Sequence, residues 1–191
     1  MPLTRVTEAI EFFKPEWYAD WLLKVGKRDA NAISKKALKI GGRIDEIIRS
    51  GVYETDKKDT EEVKKCLKNF LAWKERYSVG TLKPMERIEN DGIGLTGCAD
   101  FYWAETETLI DFKSSKRIYP EYIFQIGGYA RLGYTLKRLA ILRCDKDLDE
   151  FEFKTNEDFG LTVEQCIDAF ESAFKHYKYY KHIQKQMGVD T

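Results

Sequence analysis

Apolar residues recur along this chain in two periods, steps of three and four before Leu82 and steps of two for much of the chain beyond it. In the first part, Ile33, Ala37, Ile40, Ile44 and Ile47 or Ile48 mark one face of a helix that starts near Asn31 and stops near Ser50-Gly51. Before it, Thr4 to Val25 reads as two short helical pieces broken at Pro15, with Thr7 a candidate cap for one of them. Trp17 and Trp21 stand one turn apart in the second piece, where packing is the ordinary reading and a base-stacking platform the alternative. After the charged loop YETDKKDTEEV comes a helix from about Thr60 to Tyr77. Asp59 and Glu62 form its expected capping box, and Val63, Cys66, Leu67, Phe70, Leu71 and Tyr77 its buried face.

From Leu82 the segments LKPMERIE, GLTGCADFYW and TLIDFKS predict three strands, with turns at Asn90-Asp91-Gly92 and Glu105-Thr106-Glu107. Glu121 to Leu136 reads as helical despite Gly127-Gly128. RLAILRC and EFEFKT predict two more strands joined by the acidic turn DKDLD, and an amphipathic helix begins near Thr162 with Cys166, Ala169, Phe170, Ala173, Phe174 and Tyr177 on one face. Hairpin-joined strands followed by a crossover helix predict a mixed sheet flanked by helices, an α/β or α+β arrangement. At 191 residues, a single domain spanning 1–191 is expected.

Composition narrows this little. Lysine plus arginine equals aspartate plus glutamate at 32 each, so net charge neither supports nor excludes a nucleic-acid partner. Cys66, Cys98, Cys144 and Cys166 lie far apart with no CxxC pair, which predicts reduced, mostly buried thiols and no iron–sulfur cluster. No stretch approaches the length of a membrane span, and a cytoplasmic protein without membrane partners is expected.

The chemistry concentrates between Gly94 and Tyr129. Asp111 and Lys113, two apart on one strand, project from the same face while Ile110 and Phe112 project from the other. If GLTGCADFYW and TLIDFK form a hairpin, Asp100 falls nearly opposite Asp111, where two like charges repel. A protonated acid, an intervening Lys113 or a divalent cation could offset that repulsion; Mg²⁺ or Mn²⁺ takes two or three carboxylate oxygens plus a backbone carbonyl, here Phe112, and waters. Such a cation acidifies bound water and neutralises charge on a phosphate, which suits hydrolysis of a phosphodiester. Gln125 and Tyr129, four apart, share one helix face, with Glu121 a turn earlier.

The pattern G-x-x-x-x-Asp100, then Leu-Ile-Asp111-Phe-Lys113-Ser-Ser-Lys, then Gln125-x-x-x-Tyr129, resembles the PD-(D/E)XK nuclease superfamily in its RecB-like exonuclease branch, from about Ala37 to Tyr134. The resemblance implies a restriction-endonuclease-like fold, with Asp100 and Asp111 as metal ligands, Lys113 as a catalytic residue, and Gln125 and Tyr129 serving the site and the DNA groove. Members of the branch commonly carry a histidine ligand on an upstream helix; here Gly41-Gly42-Arg43-Ile44-Asp45 sets Asp45 at that position, with Glu46 and Glu86 as alternatives. Pairing of Asp45 with Arg43 or Arg49 is the plain structural reading. Ser114, Ser115 and Lys116 follow the strand and are candidate phosphate contacts.

These readings together imply a Mg²⁺- or Mn²⁺-dependent deoxyribonuclease acting in DNA repair or recombination, an exonuclease rather than an endonuclease. The alternative is a catalytically silent DNA-binding or protein-interaction module on the same fold. Gly41-Gly42, costly in mid-helix, signals close approach by another element, and Gly127-Gly128 would let its helix pack close to the sheet. The basic, aromatic KHYKYYKHIQKQ reads as a packed helix with a solvated basic face.

Overall fold

The computed structural model describes residues 3–11, 16–134 and 136–189, and the side chains of all of these except 16 and 17. Pro15 and the Trp17 side chain, on which two of the expectations above rest, lie outside the described residues. A five-stranded mixed sheet runs β2 (Leu82–Pro84), β5 (Phe101–Trp103), β6 (Thr108–Lys113), β7 (Arg138–Cys144), β8 (Phe151–Thr155). Within it only β6 and β7 are parallel, and they are joined by the crossover helix α5 (Glu121–Ala130), as a parallel pair requires. A second sheet of three short strands places β4 (Leu95–Gly97) between β1 (Thr4–Arg5) and β3 (Ile88–Asn90). The expected mixed sheet flanked by helices is therefore present.

Side chains alternate across the large sheet and divide the core in two. Ile110, Ala140 and Leu142 face α3 (Lys27–Ser50) and α4 (Glu61–Arg76), while Leu109, Leu139 and Ile141 face α1 (Val6–Ile10), α5 and α6 (Val163–Gln186). Both faces of β6 and β7 are covered, which explains their nearly continuous apolar runs. Asp111 shares the α5 side with Leu109, so the fold puts a carboxylate where the pattern would otherwise place a core residue.

Several expectations are corrected. The segments LKPMERIE and GLTGCADFYW each split into two strands that belong to different sheets. Arg49 explains the split: its guanidinium donates to the carbonyls of Met85 at 2.8 Å and Ala99 at 3.3 Å, between the strands of each segment. Thr60, not Asp59, caps α4, and Asp59 is held by Arg43 at 2.7 Å. The buried face of α4 includes Trp73, with no exposed surface, whereas Leu71 and Tyr77 are exposed. Thr7 lies inside α1, whose cap position is Arg5. Helix α5 ends at Ala130 rather than Leu136. Residues 31–39 of α3 are exposed throughout, Ile33 and Ala37 included, so the expected apolar stripe is buried only from Ile40 onward.

The glycines also act elsewhere than expected. A Cβ on Gly42 would meet nothing within 4 Å, and one on Gly41 would reach only Ser114 Oγ at an ordinary 3.8 Å, so neither serves a close approach. Gly127 and Gly128 do, but toward helices rather than the sheet: a Cβ on Gly127 would lie 2.1 Å from the Cys166 carbonyl oxygen of α6, and one on Gly128 would lie 2.7 Å from the Phe170 ring and from Val6. Gly127→Ala must move α6 and is expected to destabilise by about 1–3 kcal/mol, as overpacked cores do. Gly42→Ala adds a better helix former in open space and is expected to stabilise by about 0.5–1 kcal/mol. Urea midpoints of the two variants against the parent check both signs.

Candidate active site

The hairpin of β5 and β6 sets the site. Its register pairs Phe101 with Ile110, and one step outward the same register sets Asp100 against Asp111. Asp100 does not continue the strand ladder with its backbone there; its Oδ2 accepts a hydrogen bond from the Phe112 N–H at 2.6 Å. The N–H and C=O of one strand residue point to the same edge, so the Phe112 carbonyl faces the Asp100 side as well.

Asp111 is 2% exposed and its Oδ2 lies 2.6 Å from Lys113 Nζ. The buried carboxylate oxygen is thus paired with the Lys113 ammonium. Lys113 Nζ also donates to Gln125 Oε1 at 2.9 Å, and Gln125 Nε2 donates to the Tyr129 hydroxyl at 2.8 Å. The Tyr122 ring lies 4.8 Å from the ammonium. Lys113 is thus fixed from four sides by Asp111, Gln125, Tyr122 and the β6 backbone.

Helix α5 presents Gln125 and Tyr129 on one stripe because they are four residues apart, and its glycines let it seat against α6 while that stripe faces β6. Tyr129 is buried, and its ring lies where a Cβ on Gly97 would come within 3.0 Å. Both ends of the Gln125 amide are engaged inside the protein. One turn earlier, Glu121 Oε2 is buried without a hydrogen-bond partner among the described residues.

The electrostatics follow from burial. Removal from water pushes the Asp100 carboxyl up to about 7, and the facing Asp111 adds to that, while Lys113 and the Phe112 N–H oppose it. Burial likewise raises Asp111 against the pull of Lys113. For Lys113, burial favours the neutral amine, but Asp111 and Asp100 outweigh it and the ammonium is retained. Burial, with Asp111 next, holds the Tyr129 hydroxyl well above its ordinary value.

The remaining candidates are placed differently. Arg49 Nε donates to both oxygens of Asp45, at 2.8 and 2.9 Å, and Arg49 Nη2 lies 3.5 Å from Asp100 Oδ1. Asp45 therefore reaches the acid pair only through an arginine. Glu46 is exposed and bonded to Arg43 at 2.9 Å, and Glu86 is exposed. Among the described residues, no group of three or more His, Cys, Asp or Glu side chains could hold a metal ion. Ser114 sits beside Gly41 of α3, Ser115 Oγ donates to the Arg117 carbonyl at 2.8 Å, and Lys116 is exposed. All four cysteines are free thiols. No described helix is long and apolar enough to cross a membrane.

Arg49 and Tyr122 are the site residues that sequence reasoning undervalued. Arg49 was visible only as a partner for Asp45 at i+4, and its reach to Asp100, Met85 and Ala99 spans 36 to 51 positions of chain. Tyr122 precedes Gln125 by three residues and so lies on the same side of α5, a spacing that could have identified it.

Neither a family model nor a curated protein sequence matches the chain. Among solved structures, an alkaline exonuclease from Laribacter hongkongensis is similar with a TM-score of 0.44 and 14% identity, over 97% of this chain and 94% of that one. A phage-related exonuclease from Haemophilus somnus 129PT is similar with a TM-score of 0.46 and 16% identity, over 98% of this chain and 96% of that one. At such distances the chemistry of this chain is read from its own side chains.

The sign of the Asp100 shift can be measured without metal. Its folded value, about 7, lies above the ordinary carboxylate value of about 4 in the unfolded chain. The associated stability is complete below about pH 4 and is lost as pH rises through about 7. In EDTA, Asp100→Asn cannot ionise and can still accept from Phe112, so its Tm relative to the parent should climb steadily from pH 4 to pH 8. A difference independent of pH would show that Asp100 ionises as an ordinary surface acid.

Proposed function

We propose that this protein is a divalent-metal-dependent nuclease that hydrolyses DNA phosphodiesters, acting on strand ends. The observation that carries the reading is the opposed pair of acids, Asp111 fully and Asp100 partly buried, with the Lys113 ammonium against Asp111. A merely structural pair of acids would be costly in that position, whereas a cation shared between them offsets both the burial and the repulsion.

The residues present fit Mg²⁺ or Mn²⁺. Asp100, Asp111 and the Phe112 carbonyl are hard oxygen donors, and one or two carboxylates plus substrate phosphates are the set that Mg²⁺ ordinarily takes. An incomplete protein cage is thus compatible with the role. Asp45 could join only if Arg49 released it, and its part in this reading is to hold Arg49 against the Asp100 side of the site. A bound cation would supply charge neutralisation on the phosphate and a more acidic water.

The chain's own groups supply orientation and charge. Lys113, whose ammonium lies beside Asp111, would orient the attacking water and stabilise negative charge building on the phosphoryl oxygens. Gln125, occupied at both ends, positions Lys113 and passes its orientation to Tyr129 rather than reaching the DNA. Ser114, Ser115 and Lys116 leave the strand at the same end and supply phosphate contacts. The sequence pattern Asp100, Asp111-Phe112-Lys113, Gln125-x-x-x-Tyr129 supports exonuclease action in particular.

Digestion of end-labelled single- and double-stranded DNA in Mg²⁺, Mn²⁺ or EDTA tests the reading. Cleavage is expected with either metal and not in EDTA, with Lys113→Ala slower by about 10²- to 10³-fold, the loss typical of one preorganised charge-stabilising group. Retained DNA binding with no cleavage under any metal would instead leave a binding module. A covalently closed circle should resist; its cleavage would remove the requirement for an end.

A further inference from the structure

The last turns of α6 carry a charge pattern the candidate site does not use. From Ser172 to Val189 there are four lysines and both histidines of the chain and no aspartate or glutamate. In a chain whose charges balance at 32 and 32, this is a local excess of positive charge. The expected packed helix is not what forms: past Phe174 nearly every residue is exposed, with Tyr179 at 60%, Ile183 at 53% and Met187 at 69%. At 3.6 residues per turn, Lys175, Lys178, Lys181, His182 and Lys185 fall within an arc of about 120° on one side of the helix. Tyr179 borders that arc.

The basic face overlooks a groove. A cavity of about 980 Å³ opens between α6 and the turn that joins β3 to β4; Lys175, Lys178, Tyr179 and His182 line it on the helix side together with Asp168 and with Glu171, which is paired to Arg131, and Gly92 and Ile93 line the other. Lys178 donates to the Ile93 carbonyl at 3.3 Å and lies 4.1 Å from the Phe174 ring, which fixes it at the groove wall. Among the described residues Lys175, Lys181 and Lys185 meet no acid. The wall at Ile93 leads directly into β4 and from there to Asp100. The seven residue steps from Ile93 to Asp100 span at most about 25 Å of extended chain.

We propose that this groove and the basic face of α6 bind a single strand of nucleic acid and hold the substrate at a distance from the acid pair, an inference that rests on the nuclease reading for its purpose. The lysines meet backbone phosphates and Tyr179 offers an exposed ring for a base to stack on, the combination that sequence-tolerant strand binding uses. At about 3.4 Å per stacked nucleotide, the 25 Å limit corresponds to at most about seven stacked nucleotides between the groove and the acids. With Glu171 neutralised by Arg131, the lysines outnumber Asp168 and select a polyanion, and the groove beside the face selects a strand over a flat anionic surface.

The test combines Lys175→Ala, Lys178→Ala, Lys181→Ala and Lys185→Ala in one variant, with the four Lys→Arg changes as a charge-retaining control. Fluorescence anisotropy with a labelled 30-nucleotide DNA in EDTA should show affinity at least tenfold weaker for the alanine variant and restored in the arginine variant. The slope of log affinity against log salt should fall in magnitude by about 2 to 3, at about 0.7 for each phosphate no longer neutralised. With Mg²⁺, cleavage of the 30-mer should show a raised KM. Equal binding by parent and alanine variant overturns the proposal even if the parent cleaves DNA. Lysine-dependent strand binding by a parent that never cleaves upholds the surface and rejects only the nuclease reading. Lysine-dependent sedimentation with anionic vesicles but no DNA binding also overturns it.

Discussion

Two carboxylates face each other across the β5–β6 hairpin, Asp111 removed from water and Asp100 partly so, and most of the surrounding structure can be read as a response to that. Directly opposed like charges on adjacent strands repel, and burial strengthens the repulsion because little solvent screens it. The protein answers with a cation and a donor: Lys113 lies against Asp111, and the Phe112 N–H is given to Asp100. Even so, burial and the neighbouring acid keep Asp100 near 7. A fold that retains such an arrangement, rather than placing another apolar side chain beside Leu109, gives up stability at that point, and the proposed metal chemistry is what would make the cost worthwhile.

Arg49 links this local problem to the shape of the whole sheet. It leaves α3 a turn past Asp45, is held by that acid, and reaches the Asp100 side while its other nitrogens take the carbonyls of Met85 and Ala99. Those carbonyls lie where the two long segments pass from one sheet to the other. The arginine stabilises the break, and the break frees the Asp100 side chain to turn toward Phe112. Helix α3 is therefore part of the candidate site even though none of its acids touches the pair.

The features legible in the sequence were local in character. The register of the hairpin comes from counting across a short turn, and the shared stripe of Gln125 and Tyr129 comes from the helical period, so short-range spacing sets Asp100, Asp111 and Lys113 together on the hairpin and Gln125 and Tyr129 together on α5. Features carried by long-range contacts escaped. The split of LKPMERIE and GLTGCADFYW depends on an arginine 36 to 50 residues upstream, which no window of alternation reports. Gly127 and Gly128 signalled a close neighbour without saying which, and it proved to be α6 and α1 rather than the sheet. Asp45 stands at the right point of its helix, but periodicity cannot say that Arg49 comes between it and the acid pair.

The glycine contact also bears on how the two ends of the molecule are related. With no side chain at Gly127, the backbone of α5 lies directly on the Cys166 carbonyl, so the axis carrying Gln125 and the axis carrying the basic face are held at a fixed separation. Phe170 against Gly128 and Val6 continues the contact along α6, and Tyr177 bonded to Glu8 of α1 extends it a turn before the helix runs into solvent. A projecting helix anchored this firmly at its base is a poor flexible tether. Its lysines keep one direction relative to Lys113, which is the property a surface must have if it is to set how far a bound strand runs before it reaches the acids.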